Sequence, residues 1–305
     1  MSLIFVFVDG MGLGKNNGNN PLFSNYYASF LKMTGGRPLT DEVKTHYKNG
    51  SFFSPVDACL GVEGLPQSGT GQVTLFSGVN TAKKLGRHFG PYPHSAIRKY
   101  LGASSLFQKL KRENGRSCFI NAFPEVFFEH SRERNRWSST TLMTLKAGLP
   151  LNTINEVLEE KAVTAEINQK VWKERLSQDV PEITEKHAAD RVIAAAEDYD
   201  LVLMEYYLTD KAGHERDMDQ AQEILQQLDR FLMPLIEKTE EKRHTLLLTS
   251  DHGNIEDLST KTHTRNKVPF FVTGNGSEHF HGIRSIREVT PLCVTWYRSI
   301  LGQCG

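Results

Sequence analysis

Three apolar segments of this 305-residue chain each lead into an aspartate. The aspartates are Asp9, Asp210 and Asp251, which follow the apolar segments 3–8, 201–208 and 245–250. Continuous apolar runs of this length are typical of strands that are buried on both faces of a parallel sheet. Ligands of open α/β sheets bind beyond the carboxyl ends of such strands. The pattern therefore predicts an α/β fold in which three carboxylates meet at one edge of the sheet.

Histidines follow these aspartates closely along the chain. His214 comes four residues after Asp210, His252 is adjacent to Asp251, and His263 comes twelve residues after Asp251. Each aspartate alone could cap a helix or begin a turn. Three carboxylates and three imidazoles together favour a site for two divalent metal ions. This mixed ligand set suits Mn²⁺ or Zn²⁺ better than Ca²⁺ or Mg²⁺.

The overall composition is that of an enzyme without a charged macromolecular partner. Lys and Arg number 36, as do Asp and Glu, so charge indicates neither nucleic acid nor a membrane surface as a partner. The cysteines Cys59, Cys118, Cys293 and Cys304 are far apart, which argues against a thiolate zinc site or a disulfide framework. The apolar N-terminus is too short for a signal peptide, and no window has the length of a membrane span. We expect a cytoplasmic protein.

Strand patterns alternate with helical patterns along most of the chain. Besides the three apolar runs, strands are predicted at 118–122 and 268–272, and helices at 188–197, 218–237 and 288–301. This alternation predicts a three-layer α/β/α sandwich around a largely parallel central sheet.

The composition changes between residues 125 and 183, where we find no strong strand and a helical pattern in the second half. We interpret 125–183 as a small inserted lid over the edge that carries the aspartates, with 1–124 and 184–305 as the core. Arg132, Arg134 and Arg136 of this segment are candidates for substrate contacts. The segment could also be a peripheral helical hairpin that has no role in the site.

The glycine-rich segment that runs from Gly10 to Lys15 resembles a phosphate-binding loop but does not match one. That loop has four residues between its first glycine and the Gly-Lys pair, followed by Ser or Thr. Here the spacing is shorter and Asn16 follows. The dinucleotide-binding pattern also fails, because the glycines alternate and no amphipathic helix follows. We expect the glycines to let the backbone pass close to an ion that is held by Asp9.

Residues 65–72 (Leu-Pro-Gln-Ser-Gly-Thr-Gly-Gln) predict a tight turn at the start of a helix. A helix N-terminus presents backbone N–H groups and a positive dipole to an anion. A hydroxyl there, beside two dications, can lose its proton and attack phosphorus. Ser68 is the candidate nucleophile and Thr70 the reserve, although either could act only as a helix cap.

These motifs together resemble the alkaline phosphatase superfamily, and within it the branch of cofactor-independent phosphoglycerate mutases and phosphopentomutases. The segments that carry the resemblance begin at Phe7, Gln67, Thr209, Thr249 and Thr262, in the family's order. The resemblance implies that one metal is bound by Asp9, Ser68, Asp251 and His252. It implies a second metal bound by Asp210, His214 and His263, with the Ser68 oxygen between the two ions.

One position departs from the pattern of that branch. A histidine there stands four residues after the nucleophile, whereas this chain has Gln72. The change leaves Ser68 as the nucleophile and affects the finer substrate contacts. The Cys/Ser-x-Pro-x-Arg site of the sulfatase branch is absent from the sequence.

The resemblance and the ligand pattern imply a two-metal phosphotransfer enzyme with a small phosphorylated substrate. We expect a phosphomonoester hydrolase that acts through a phosphoserine; a phosphomutase, a phosphodiesterase and a non-catalytic metal-binding scaffold are the alternatives. A mutase needs a site closed from water, and the resembled mutases have a larger lid than the roughly 60 residues here. Candidate substrate-binding residues are Lys83, Lys84, Arg87, His88, Lys211, Arg216 and Arg265.

Overall fold

A single sheet of seven strands forms the centre of the described part of the protein. The computed structural model describes residues 1–134 and 136–301, so Cys304 lies outside the described residues. The strands are β1 (Leu3–Val8), β2 (His46–Lys48), β3 (Ser51–Val56), β4 (Ser117–Phe119), β5 (Leu201–Tyr206), β6 (Thr245–Thr249) and β7 (Val268–Gly274). Their order is β2-β3-β7-β6-β1-β5-β4. Strands β6, β1, β5 and β4 are parallel to one another, whereas β7, β3 and β2 continue the sheet in antiparallel pairs.

Helices cover both faces of this sheet. Within the same residues they are α1 (Ala28–Thr34), α2 (Ser68–Ser77), α3 (Thr81–Leu85), α4 (Arg98–Ala103), α5 (Leu106–Arg112), α6 (Glu125–Arg134), α7 (Ser139–Lys146), α8 (Ile154–Leu158), α9 (Lys170–Glu174), α10 (Glu185–Asp198), α11 (Leu208–Glu215), α12 (Met218–Glu241) and α13 (Val289–Leu301). Two 3₁₀ turns lie at Ser277–Phe280 and Ile286–Glu288. The predicted α/β sandwich with a mainly parallel centre is confirmed. Among the described residues, no helix has both the length and the apolar character that crossing a membrane requires.

The central strand β1 explains why the sheet needs a helical layer on each side. Successive side chains of a strand point to opposite faces. Ile4, Val6 and Val8 join the apolar core that contains α10 and α12, whereas Leu3, Phe5 and Phe7 join the core of α2, α5 and α13. All six side chains are almost completely buried. A strand that is apolar on both faces is stable only between two covering layers.

The structure corrects the sequence interpretation at two places. The antiparallel hairpin of β2 and β3 was not predicted, because β2 is polar and largely exposed and Pro55 interrupts β3. The helices in residues 125–183 are also distributed differently from the prediction. The longer helices, α6 and α7, lie in the first half, whereas α8 and α9 have only five residues each.

Residues 125–183 are joined to the edge of the sheet beyond β4. Isolated bridges connect Asn121 with Val163 and Ala122 with Asn152, so the predicted strand 118–122 continues as single pairs. Trp172 packs with Val157, Val180 and neighbouring residues in a small apolar cluster. These contacts hold the segment next to the carboxyl end of the parallel strands.

Candidate metal centre

The carboxyl ends of three neighbouring strands bring the predicted ligands together. Strand β1 lies between β5 and β6 and is parallel to both. Asp9 follows β1 directly, Asp251 follows β6 after one residue, and Asp210 lies in the first turn of α11. Because parallel neighbours end at the same edge of a sheet, the three carboxylates converge there.

The first ligand group consists of Asp9, Asp251 and His252, and all three are buried. His252 Nε2 lies 3.3 Å from Asp9 Oδ1 and 3.4 Å from Asp251 Oδ2. Neither contact has hydrogen-bond geometry, so both carboxylate oxygens are buried without a partner. Buried carboxylate oxygens without partners are energetically costly. A cation between these atoms would remove that cost.

Charge in the first group also favours a cation. Burial raises the pKa of Asp251 well above its ordinary value, and the nearby Asp9 carboxylate raises it further. Burial lowers the pKa of His252, but the carboxylates of Asp251 and Asp9 outweigh it and raise that pKa to about 10. The buried carboxylates therefore favour a positive charge between them. The oxygen and nitrogen donors of the group fit a divalent ion.

The second ligand group consists of Asp210, His214 and His263. The Nε2 atoms of both histidines lie 3.4 Å from carboxylate oxygens of Asp210 and 3.2 Å from each other. Burial raises the pKa of Asp210, but the neighbouring His263 and His252 side chains outweigh it and hold that pKa below its ordinary value. The His252 and His263 rings stack with their centroids 3.8 Å apart, so the two groups adjoin.

Backbone carbonyls orient the histidines of the second group. His214 Nδ1 lies 3.0 Å from the carbonyl oxygen of Lys261, and His263 Nδ1 lies 2.8 Å from that of Pro66. A ring that donates from Nδ1 to a carbonyl keeps Nε2 unprotonated and able to bind a metal. This arrangement fits a divalent ion at the second group as well.

Ser68 is the first residue of α2, and its hydroxyl faces the first ligand group instead of capping the helix. Its Oγ lies 2.9 Å from His252 Nε2, and the side chain is buried. The Thr70 hydroxyl is 3.2 Å from the carbonyl oxygen of Gln67 and accepts a hydrogen bond from the backbone N–H of Phe89. Ser68 therefore adjoins the ligands, whereas Thr70 braces the surrounding backbone.

Gln72, which departs from the resembled pattern, contacts a predicted metal ligand. It lies one turn after Ser68 in α2, and its Nε2 donates a hydrogen bond of 3.0 Å to Asp9 Oδ2. This bond satisfies one oxygen of Asp9 and leaves Oδ1 directed at His252. The amide thus orients a ligand in this structure.

The glycines of residues 10–14 lie where other backbone and side chains approach closely. Gly10 has a φ angle of 69°, and a Cβ there would lie 2.6 Å from Asp210 Oδ1. A Cβ at Gly12 would lie 2.3 Å from Glu256 Oε1. Neither position has room for a side chain.

A buried carboxylate that the sequence analysis missed connects the loops that carry the ligands. Glu256 accepts hydrogen bonds from the backbone N–H groups of Gly12 (2.9 Å) and Asn254 (2.7 Å). It also accepts from the side chains of Thr264 and Asn266. These donors belong to the loops after β1 and β6 and to the segment of His263. An acidic residue just after the Asp-His-Gly-Asn motif was the available signal.

A second missed carboxylate, Glu205, lies beside the first ligand group. It is the last but one residue of β5 and accepts a hydrogen bond of 2.6 Å from the Thr140 hydroxyl. Burial raises the pKa of Glu205 to about 8, although the bond from Thr140 lowers it, and the Asp9 carboxylate raises it further. A single acidic residue within an apolar strand was the signal that could have identified it.

Both ligand groups border a cavity of about 590 Å³. Asp9, Ser68 and Asp210 line one side of it, together with Gln72 and Glu205. Residues 125–183 supply eleven of the 23 lining residues. This volume is typical of small-molecule sites.

The predicted cationic substrate contacts lie elsewhere. In the described ranges, the cavity lining includes none of Lys83, Lys84, Arg87, His88, Lys211, Arg216 and Arg265. His88 is half-buried and the other six are exposed. Arg216 donates to the carbonyl oxygens of Leu258 and Ser259, which is a structural role. Of the three arginines in 125–183, Arg134 and Arg136 line the cavity, whereas Arg132 lies over the Phe128 ring.

Comparison with known proteins finds a family model and several relatives that match part of the chain. Residues 150–292 match the model of the Metalloenzyme superfamily. A 2,3-bisphosphoglycerate-independent phosphoglycerate mutase of Clostridium novyi is 32% identical over 107 residues, which cover 32% of this chain and 21% of that protein. The enzyme of that name from Halobacterium salinarum is 32% identical over 131 residues, or 38% of this chain and 26% of that protein. The matched region spans about a quarter of the length of these curated relatives.

Solved structures with the same fold match nearly the whole chain. The alkaline phosphatase of the Antarctic bacterium TAB5 aligns with a TM-score of 0.55 at 13% identity and covers 97% of this chain and 98% of that chain. A cold-active alkaline phosphatase from Shewanella sp. aligns with a TM-score of 0.55 at 10% identity, and the alignment covers 97% of this chain and 99% of that chain. At this level of identity, the likeness concerns the fold.

Proposed function

We propose that the chain is a metal-dependent phosphotransfer enzyme of the alkaline phosphatase superfamily, near the cofactor-independent phosphoglycerate mutases; the family match, the sequence relatives and the shared fold support this. We propose further that it hydrolyses small phosphomonoesters through a phosphoserine at Ser68. The observation that carries this proposal is the Ser68 hydroxyl, which lies 2.9 Å from His252 Nε2 and borders the cavity beside both ligand groups.

The chain's own donors fit two divalent ions. Asp9, Ser68, Asp251 and His252 would hold one, and Asp210, His214 and His263 would hold the other. Bound there, Mn²⁺ or Zn²⁺ would lower the pKa of the serine hydroxyl and neutralise phosphate charge.

The residues of the site would act in two steps. In the first, Ser68 Oγ loses its proton and forms a bond to phosphorus, while the bond from phosphorus to the leaving oxygen breaks and the alcohol departs with a proton. In the second, water attacks phosphorus, the bond to Ser68 Oγ breaks, and inorganic phosphate leaves. Gln72 and Glu256 keep Asp9 and the ligand loops in position through the hydrogen bonds described above.

We propose that residues 125–183 act as the lid of this site. They supply about half of the cavity wall, including Arg134 and Arg136, which could bind anionic parts of the substrate. Tyr92 and Tyr207 at the same cavity are 39% and 46% exposed, so water reaches the wall. Access of water supports hydrolysis, because a mutase must protect its intermediate.

A phosphomutase is the second candidate, and the sequence relatives favour it. The curated relatives described above are phosphoglycerate mutases. The two activities differ in the acceptor of the phosphoryl group, which is water in one case and a substrate hydroxyl in the other.

The test is turnover of phosphomonoesters, including 3-phosphoglycerate, with Mn²⁺ or Zn²⁺ added. We expect release of inorganic phosphate, and phosphate on Ser68 in quenched samples analysed by mass spectrometry. Ser68→Ala should lose at least about a thousandfold in kcat, whereas replacement of the exposed Ser95 by alanine should have little effect. Formation of 2-phosphoglycerate without phosphate release would indicate the mutase. Full activity of Ser68→Ala would exclude the phosphoserine.

A further inference from the structure

Large apolar side chains remain exposed to solvent around the cavity beside Ser68. Tyr92, Val171 and Tyr207 are each between 37% and 46% exposed, and all three line the cavity. They come from separate segments: the loop between α3 and α4, helix α9, and the turn between β5 and α11. Exposed apolar residues that converge on a concave site indicate a surface that a ligand covers.

An aromatic wall extends this surface into the cavity. The rings of Phe123 and Phe127 stack at 28° with centroids 4.3 Å apart, and both residues line the cavity. The rings of Phe127 and Trp137 pack edge to face, with centroids 6.0 Å apart. Trp172, which is only 3% exposed, contributes to the same wall. The ring contacts hold Phe123 and Phe127 against each other in the cavity wall.

Two buried acidic groups of the cavity have no cationic partner among the residues that the structure describes. Glu166 and Glu205 are both buried and line the cavity. In the described part of the chain, neither carboxylate forms an ion pair with a lysine or arginine side chain. Arg134 and Arg136, the two arginines of the lining, are exposed. Within the described residues, the buried part of this lining therefore offers no lysine or arginine to a second anionic group of a leaving group.

We propose that the cavity selects phosphomonoesters whose leaving group carries an uncharged aromatic ring. The phosphate reaches Ser68, and the ring is covered by Tyr92, Tyr207 and the Phe123–Phe127 pair. This inference rests on the proposed function, because it places the leaving group relative to the nucleophile.

The test compares 2-phenylethyl phosphate with ethyl phosphate. Both leaving groups are primary alkoxides, so the difference in kcat/KM reports mainly the ring. We expect an advantage of about tenfold or more for the phenyl ester, since each aromatic contact adds to the burial of apolar area. Tyr92→Ala and Tyr207→Ala should each reduce that ratio severalfold. Tyr47→Ala, which removes a 55% exposed tyrosine of strand β2 outside the cavity lining, should leave the ratio unchanged.

A binding measurement separates this inference from the proposed activity. The dissociation constants of 2-phenylethylphosphonate and ethylphosphonate are measured by calorimetry with Mn²⁺ or Zn²⁺ added, and unfolding curves establish that each variant is folded. Tighter binding of the phenyl compound without turnover of either ester would support the aromatic subsite and refute hydrolysis. Equal dissociation constants, or a preference that survives in both tyrosine variants, would overturn the inference whatever the activity.

Discussion

Replacing Glu256 by alanine should destabilise the protein strongly, although this residue is not among the predicted metal ligands. The carboxylate is almost fully buried and accepts hydrogen bonds from four donors, which are Gly12 N, Asn254 N, Thr264 Oγ1 and Asn266 Nδ2. A buried donor without a partner costs about 1–3 kcal/mol. Water that enters the vacated space would satisfy some of the four donors. We therefore expect a loss of about 3–5 kcal/mol in the free energy of unfolding.

Urea unfolding of the metal-free protein, followed by circular dichroism, measures this loss. Glu256→Gln keeps the size of the side chain and one acceptor oxygen, so it should lower the free energy of unfolding by about half as much as Glu256→Ala does. Glu278→Ala removes an exposed carboxylate (62% side-chain exposure) and should stay within about 0.5 kcal/mol of the parent protein. Bound Mn²⁺, measured by elemental analysis, should fall in Glu256→Ala because the loops of Asp9, His252 and His263 lose their common acceptor. A loss below about 1 kcal/mol would refute the reasoning that these hydrogen bonds hold the loops.

Three further predictions concern backbone space, pH and metal. Gly12→Ala should lose about 2 kcal/mol or more in urea unfolding, because its Cβ would lie 2.3 Å from Glu256 Oε1, whereas Gly18→Ala has open space and serves as the matched control. The folded-state pKa of Glu205 is raised from 4.5 to about 8, so the unfolded state releases this proton first and stability falls as pH rises from about 5 to 8. Urea titrations with chelator present should show that the free energy of unfolding declines by on the order of 2–4 kcal/mol over this pH range. Glu205→Gln should reduce this decline, and an identical decline in the variant would contradict the attribution to Glu205. Removing metal with a chelator should lower the melting temperature. Adding Mn²⁺ or Zn²⁺ at a hundred times its Kd should restore about 2.7 kcal/mol of the free energy of unfolding, whereas His252→Ala should regain little.

The sequence alone was sufficient to place the candidate metal ligands at one edge of the sheet. The apolar runs before Asp9 and Asp251 predict strands buried on both faces, and parallel strands end at a common edge. Pro66 and the nearby glycines indicated the start of a helix in residues 65–72, and α2 begins there at Ser68. These features are local, because strand periodicity and turn chemistry depend on neighbouring residues. The order of the motifs added the family resemblance.

Only the tertiary structure decided which other side chains reach the site. Lys211 and Arg265 lie next to predicted ligands in the sequence, yet their side chains are exposed outside the cavity lining. Adjacent residues of a helix or loop point in different directions, so proximity along the chain does not determine a shared surface. Glu205 accepts a hydrogen bond from Thr140, which is 65 residues away in the sequence, and Glu256 accepts one from Gly12, which is 244 residues away. The sequence marks both glutamates as unusual for their position, but the partners of each are set by how distant segments pack.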